Sequence, residues 1–256
     1  MKQTPLTLTL VKKTMTSLAL ASTISYAGFV AAEDAIPPEP QLVKDFWALE
    51  TFFEADPEAI KAVLPPGLKP HPSNTVAVSM YTVPDAANTS GFGPYTLTYI
   101  AVQVMGHDSY VYGSKDSLPG LYLVHYWNSS DSMRGYTGRA GFPNDLGGLT
   151  TMQKDSGKVT TRLTVEGKTF IEASSSLSGE LLPASAGHAN YLYRKGAQIM
   201  KLPLPWICRD VKTETSAITF HMPADHPAYK LRPKKVAFAL YENCTISYPQ
   251  AVAIKP

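Results

Sequence analysis

Segments of β-branched and aromatic residues, each five to twelve residues long, recur along most of the chain. In several of them apolar and polar residues alternate, which is the two-residue period of a strand with one buried face. Glycine, proline, asparagine and aspartate, the residues that favour turns, separate the segments. The pattern predicts strands at residues 46–53, 76–83, 95–105, 121–127, 159–165, 169–177, 189–193, 216–221 and 236–247.

Two local signals refine this prediction. Asp56 is a suitable N-cap and Pro57 a suitable first residue for a short helix, which Pro65-Pro66-Gly67 would end. Glu166-Gly167 predicts a tight hairpin between two strands. No repeat, heptad or linker divides the remainder, so residues 45–256 are expected to form one mainly β (α+β) domain. A barrel or a sandwich is favoured, because many strands in one domain must protect their edges.

The first 32 residues have the pattern of a secretory signal peptide. Lys2, Lys12 and Lys13 precede an apolar run that ends in small residues at Ala31-Ala32, and no acidic residue occurs before Glu33. The proline-rich residues 33–44 then predict an extended lead-in. We therefore expect a secreted or periplasmic protein. An uncleaved anchor is the alternative, but the run carries serine, threonine and tyrosine.

Charge and composition exclude several classes of protein. The chain is 44% hydrophobic and 17% charged, which excludes a disordered or fibrous chain. Its net charge of +2 becomes −1 when residues 1–32 are removed. Nucleic-acid binding therefore has no electrostatic support, and the mature chain has no stretch that would span a bilayer. Phosphate loops, zinc motifs and serine-hydrolase motifs are absent, so we expect neither a cofactor nor a metal.

Cys208 and Cys244 are the two cysteines of the chain, and both fall in strand-like segments. Export would permit a disulfide, but only if the two strands are neighbours. Two buried thiols are the alternative, and the sequence does not decide between them.

Several short motifs, in order, resemble the acetoacetate decarboxylase family. They are Leu64-Pro65-Pro66-Gly67-Leu68, Gly93-Pro94-Tyr95, Gly138-Arg139-Ala140-Gly141-Phe142-Pro143 and Asn190-Tyr191-Leu192-Tyr193. The resemblance covers roughly residues 45–250. It implies a single cone-shaped antiparallel β-barrel with an interior pocket and a few short helices. It also raises a homo-oligomer as a candidate assembly.

The charged residues of the family's reaction are replaced in this chain. The decarboxylases of the family condense a buried lysine with the substrate ketone to form a Schiff base. Here Asn144 and Asp145 follow Phe142-Pro143, where the family has two lysines. One glutamate of the family corresponds to Leu97. The family's upstream arginine corresponds to a position near Phe46, and its other pocket glutamate to a position near Ser79 or Thr82. We therefore predict a divergent member that lacks the Schiff-base lysine.

Four residues are the candidate catalytic groups. Asp145 is a candidate general base, or else the N-cap of residues 146–152, and Asn144 is a hydrogen-bond donor or a turn residue. Arg139 is suited to an enolate or a carboxylate, or is a structural arginine. Tyr95 presents its hydroxyl to the pocket or packs in the core. Phe46, Ser79, Leu97 and Phe142 are predicted to line a pocket that is more apolar than in the decarboxylases.

Two functions remain open at this stage. The first is an exported, lyase-like enzyme that acts on a keto, enol or cyclic small molecule by acid–base catalysis. The second is a barrel that binds a small molecule without catalysis, which the expected lack of paired inward charges favours. A decarboxylase with a relocated lysine ranks below both.

Overall fold

The computed structural model of the protein describes residues 40–145 and 147–255. These residues belong to one compact unit, Ile36–Pro256. The predicted signal peptide, residues 1–32, and residues 33–39 of the lead-in lie outside the described residues. The elements, in chain order, are β1 (Gln41–Glu54), α1 (Pro57–Val63), β2 (Thr75–Val83), β3 (Tyr95–Val111), β4 (Leu118–Asn128), α2 (Asp131–Ala140), β5 (Gly148–Asp155), β6 (Lys158–Val165), β7 (Lys168–Leu181), β8 (Ser185–Lys195), β9 (Gln198–Phe220), β10 (Lys235–Tyr248) and β11 (Val252–Ile254).

Seven strands close into a barrel. They pair in the order β1, β2, β3, β4, β8, β9 and β10, and β10 pairs again with β1. Strands make up 62% of the described residues, which confirms the predicted mainly β barrel with a few short helices. One pairing differs from the antiparallel prediction, because Leu121 and Tyr122 of β4 pair in parallel with Tyr191 and Leu192 of β8.

A second group of strands covers one side of the barrel. Strand β7 pairs with the last part of β9, and β6 and β5 follow in order. β5 packs on the outer face of the barrel, where the Thr150 amide donates to Thr96 Oγ1 at 2.9 Å. The barrel strands β1 to β4 are therefore buried on both faces.

Strand β1 shows how alternation divides these residues between two cores. Phe46, Ala48 and Phe52 belong to an inner core inside the barrel. Leu49 and Phe53 belong to an outer core between the barrel and strands β5 to β7. Because successive side chains of a strand point to opposite faces, an almost continuously apolar strand supplies both cores.

The predicted helix and hairpin are both confirmed. Asp56 caps α1, and its Oδ1 accepts hydrogen bonds from the Glu58 amide at 3.0 Å and the Ala59 amide at 3.3 Å. β6 and β7 form the hairpin, in which Val165 pairs with Lys168. Within the described ranges, no helix has the length and apolar character needed to cross a bilayer.

Several elements differ from the sequence predictions, and β5 and β11 are strands that were not predicted. β1 begins at Gln41, before the predicted domain start at residue 45, and Val43 is fully buried in the inner core. β9 has 23 residues where only 216–221 were predicted, since Pro203 and Pro205 argue against a central strand. The ten-residue helix α2 was not predicted, although Ser130 caps its first turn and Gly141 ends it at φ +95°.

Candidate functional site

The barrel encloses a cavity of about 300 Å³, and most of the side chains that line it are apolar or aromatic. Three carboxyl groups stand in this lining, those of Glu50 on β1, Asp210 on β9 and Glu242 on β10. These three strands are neighbours in the barrel, because β10 pairs with both β9 and β1. The carboxyls therefore share one wall of the cavity.

Glu50 is held by hydroxyl groups from the facing strands. The Tyr99 hydroxyl donates to Glu50 Oε1 at 2.9 Å, and the Tyr99 and Tyr191 hydroxyl oxygens lie 2.6 Å apart. Burial raises the pKa of the Glu50 carboxyl, while hydrogen bonds from Tyr99 and Ser79 offset part of that rise. Burial, and then the adjacent Glu50, holds the pKa of Tyr99 well above its ordinary value, so its hydroxyl keeps its proton.

Asp210 and Glu242 face each other directly across the β9–β10 pairing. Burial raises the pKa of the Glu242 carboxyl well above its usual range, and the charges of Glu50 and Asp210 raise it further. Burial also raises the pKa of the Asp210 carboxyl, and hydrogen bonding between the two carboxyls lowers the pKa of Asp210 while it raises that of Glu242. Asp210 Oδ1 is buried and has no hydrogen-bond partner. Two opposed carboxyls that titrate together in this way share a proton.

A disulfide lies next to this pair. Cys208 and Cys244 are bonded, their Cα atoms are 4.2 Å apart, and both line the cavity. The sequence left a disulfide and two thiols open, and the structure has the disulfide. A carboxylate oxygen of Glu242 and the two sulfur atoms lie within 4.8 Å of one another. The sulfurs are bonded to each other, so they are not thiolate ligands for a metal.

A cluster of tyrosines occupies another part of the lining. The hydroxyl oxygens of Tyr81 and Tyr248 lie 3.0 Å apart, and both residues line the cavity together with Tyr126. Tyr95, a predicted catalytic residue, is buried beside them and does not line the cavity. Its ring lies 6.1 Å from that of Tyr81, and its hydroxyl is buried. Tyr95 is therefore placed behind the site.

The four residues predicted to line a pocket are at the cavity. Phe46, Ser79, Leu97 and Phe142 all contribute to its wall. Leu97 and Phe46 are apolar at positions where the family has charged residues, so this part of the wall carries no charge.

The three other candidate catalytic residues do not reach the cavity, which corrects the sequence expectation. Arg139 and Asn144 are exposed. Asp145 is half-buried, and its carboxylate accepts from the Tyr126 amide at 2.7 Å and lies 2.9 Å from His125 Nδ1. Tyr126 points into the barrel, so its neighbour His125 points outward, and the Asp145 side chain is held on that outer side. Asp145 caps no helix either, because β5 begins at Gly148.

The carboxyls that line the cavity were not among the predicted site residues. The expectation from the sequence that paired inward charges are absent is wrong, because Asp210 and Glu242 are such a pair. One signal was available: Glu50 lies two residues from Ala48 and two from Phe52, both in the inner core. An acidic residue that lies an even number of positions from core residues on the same strand is predicted to point to the same face, here inward. The residues of other strands that lie next to Glu50 can be identified only from the register of the sheet.

The cavity holds no basic side chain. Among the residues that line it in the described part of the chain, none is a lysine, an arginine or a histidine. The carboxyls therefore have hydroxyls, each other and the disulfide as neighbours.

Comparisons with known proteins agree with this architecture. The family model described as acetoacetate decarboxylase matches residues 30–247. A search of curated protein sequences gives no match. A solved structure of acetoacetate decarboxylase has a TM-score of 0.69 at 15% identity, covering 90% of this chain and 96% of that chain.

Two further structures have the same fold. Acetoacetate decarboxylase from Legionella pneumophila gives a TM-score of 0.68 at 16% identity, covering 94% of this chain and 98% of its own. The enduracididine biosynthesis enzyme MppR, complexed with pyruvate, gives 0.64 at 14% identity, covering 88% and 95%. At these identities the likeness establishes the fold, and the chemistry must be argued from this chain's own residues.

Proposed function

Because the chain belongs to the acetoacetate decarboxylase family, we propose that it is a lyase-like enzyme that works by acid–base catalysis without a Schiff base. Its substrate is an uncharged keto, enol or cyclic small molecule. The observation that carries the proposal is the set of three carboxyls, Glu50, Asp210 and Glu242, in an otherwise apolar cavity.

The carboxyls supply both an acid and a base. Burial raises the pKa of each carboxyl, so each keeps its proton to a higher pH than an exposed carboxyl does, and a protonated carboxyl donates to a carbonyl oxygen. In the proposed reaction Glu50 donates its proton to the substrate oxygen. The Asp210–Glu242 pair accepts the proton of the adjacent C–H bond, whose electrons form the enol double bond. The Tyr99 hydroxyl, 2.9 Å from Glu50 Oε1, orients the acid.

The charge of the cavity argues against acetoacetate as the substrate. Its carboxylate would meet three acidic groups, and the described lining offers no cation to pair with it. A Schiff base would need a lysine amine at the same place. An uncharged ketone meets neither obstacle, and the apolar walls favour it.

A proton-exchange measurement tests the proposal. Cyclohexanone in deuterated buffer loses its α-protons slowly, and ¹H NMR follows the loss. We expect the protein to accelerate the exchange, and Glu50→Gln to reduce the acceleration roughly 100-fold, the lower end for a general acid or base. Glu54→Gln, at the exposed end of the same strand, is the control and should exchange like wild type.

Two outcomes would contradict it. Exchange at the uncatalysed rate with wild-type protein would leave the second candidate, a non-catalytic barrel that binds a small apolar molecule, which the mostly apolar lining favours. A covalent mass adduct after incubation with acetoacetate and borohydride would restore the imine mechanism.

Export is part of the proposal. The signal-peptide pattern of residues 1–32 and the Cys208–Cys244 disulfide both suit an oxidising compartment. Intact mass spectrometry of protein recovered outside the cytoplasm of a secreting host should give a chain that begins at Glu33. A chain that begins at Met1 would contradict export by cleavage.

A further inference from the structure

The seam between β9 and β10 carries two pairs of inward side chains, one after the other. In its register Cys208 lies opposite Cys244 and Asp210 opposite Glu242. The two pairs are two residues apart on each strand, so they share one face of the ladder, and all four residues line the cavity. This seam also closes the barrel, and it consists of six residue pairs.

The disulfide pair marks the closest kind of cross-strand position. The Cα separation of 4.2 Å fits a non-hydrogen-bonded antiparallel pair, where side chains approach most closely. Pair types alternate along an antiparallel ladder, so Asp210 and Glu242 occupy the next position of the same type. Their Cα atoms are therefore opposed at the shortest spacing that an antiparallel ladder offers.

Such an arrangement tends to separate the strands. Like charges directly opposite each other destabilise a strand pair, and the apolar walls strengthen the repulsion. The groups that face the pair do not relieve it: Glu50 on β1 adds a third carboxyl, and Tyr191 is neutral. Sharing one proton offsets the repulsion, but this requires the two carboxyls to remain in contact.

Building on the proposed function, we propose that the Cys208–Cys244 disulfide is a positioning element that keeps the carboxyls of Asp210 and Glu242 close enough to share a proton. It fixes the strand spacing two positions along the ladder from the carboxyls. Reduction by a dithiol, which adds two electrons and two protons and leaves two thiols, removes this constraint. The carboxyls then separate, and the acid–base pair is weakened without any change to its own atoms.

Titration of Glu242 tests the proposal and requires no turnover. Protein labelled with ¹³C at glutamate carboxyls is titrated by NMR, and Glu242→Gln identifies the resonance. In the variant Cys208→Ser/Cys244→Ser we expect the apparent pKa of Glu242 to fall by at least one unit, a tenfold loss of proton affinity. Leu163→Ala, in the outer core, is the control: it should lower stability and leave the Glu242 titration unchanged.

The remaining outcomes decide against the proposal. An unchanged Glu242 titration in the folded double variant, or an equal shift in Leu163→Ala, would overturn it. If the double variant does not fold, wild-type protein reduced with a phosphine is titrated instead. Failure of both forms to fold would assign the disulfide to fold stability alone. If the native, oxidised protein does not accelerate ketone exchange, the proposed function is contradicted, but the titration still decides whether the disulfide positions the carboxyls.

Discussion

The two faces of the barrel wall formed by β1 to β4 are both buried but differ in chemistry. The outer face packs against β5 to β7 with residues such as Leu49, Phe53 and Trp127. The inner face alternates with it along the same strands and carries Glu50 and Ser79 among its aromatic residues. One set of strands therefore builds a conventional core on one side and a polar site on the other.

The two faces also differ in the kind of polar group that they bury. On the outer face the Thr98 and Thr150 hydroxyls are 2.7 Å apart and satisfy each other, whereas the Thr51 hydroxyl on the same face is buried without a hydrogen-bond partner. Inside the barrel, Glu50 of this wall shares the cavity with the carboxyls of Asp210 on β9 and Glu242 on β10, and Asp210 Oδ1 has no hydrogen-bond partner. Unmatched buried acids cost stability, so their presence in the cavity is better explained by function than by folding.

The largest expected effect compares neighbours in β1. Phe53→Ala should lower the free energy of unfolding by about 3–5 kcal/mol, because it leaves a hole in the fully buried outer core. Phe52→Ala should cost clearly less, because the Phe52 side chain already borders the open cavity. Urea unfolding measures both. Equal losses would mean that the inner face contributes to stability as the outer face does.

The strands and their buried outer faces were easier to predict from the sequence than the residues of the site. Alternation and turn residues indicated most barrel strands, because local pattern determines which residues form strands and which faces they bury. β9 was largely missed since its prolines and polar residues obscure the period. The order of β8, β9 and β10, which are brought together by long-range pairing, could not be obtained from local pattern.

The site shows the same limit. Phe46, Ser79, Leu97 and Phe142 were expected at a pocket from the family resemblance, and they line the cavity. Arg139, Asn144 and Asp145 were chosen for their place after the motif, but the end of α2 and the following loop hold them away from the cavity. Asp210 and Glu242 are distant in sequence, and only the register of β9 against β10 makes them a pair.

A second prediction concerns the pH dependence of the inner face. The folded protein holds the Glu242 proton more tightly than the unfolded chain, because its pKa is raised well above the ordinary 4.5. This contribution is fully present below about pH 4.5 and is lost as pH rises toward the raised value. Wild-type protein should therefore lose stability relative to Glu242→Gln between pH 5 and pH 8, by about 1.4 kcal/mol per pKa unit of the shift.

Urea unfolding at four pH values across this range measures the difference. Glu54→Gln is the matched control, because its side chain is exposed at the end of β1 and should follow the wild-type curve. Parallel curves for wild type and Glu242→Gln would show that the carboxyl ionises as easily in the cavity as in the unfolded chain. Ionising a carboxyl in the cavity would then cost no more free energy than ionising one at the surface.

The smallest expected effect tests whether the Thr98 and Thr150 hydroxyls stabilise each other on the outer face. Thr98→Val removes one hydroxyl and leaves Thr150 Oγ1 without its partner in a buried site, which should cost about 1–2 kcal/mol. Thr98→Val/Thr150→Val removes both and should cost less than the sum of the two single variants, with a coupling of about 1 kcal/mol in urea unfolding. Additive losses would mean that the hydroxyls do not depend on each other. The contrast between the two faces would then rest on packing and on the carboxyls of the cavity.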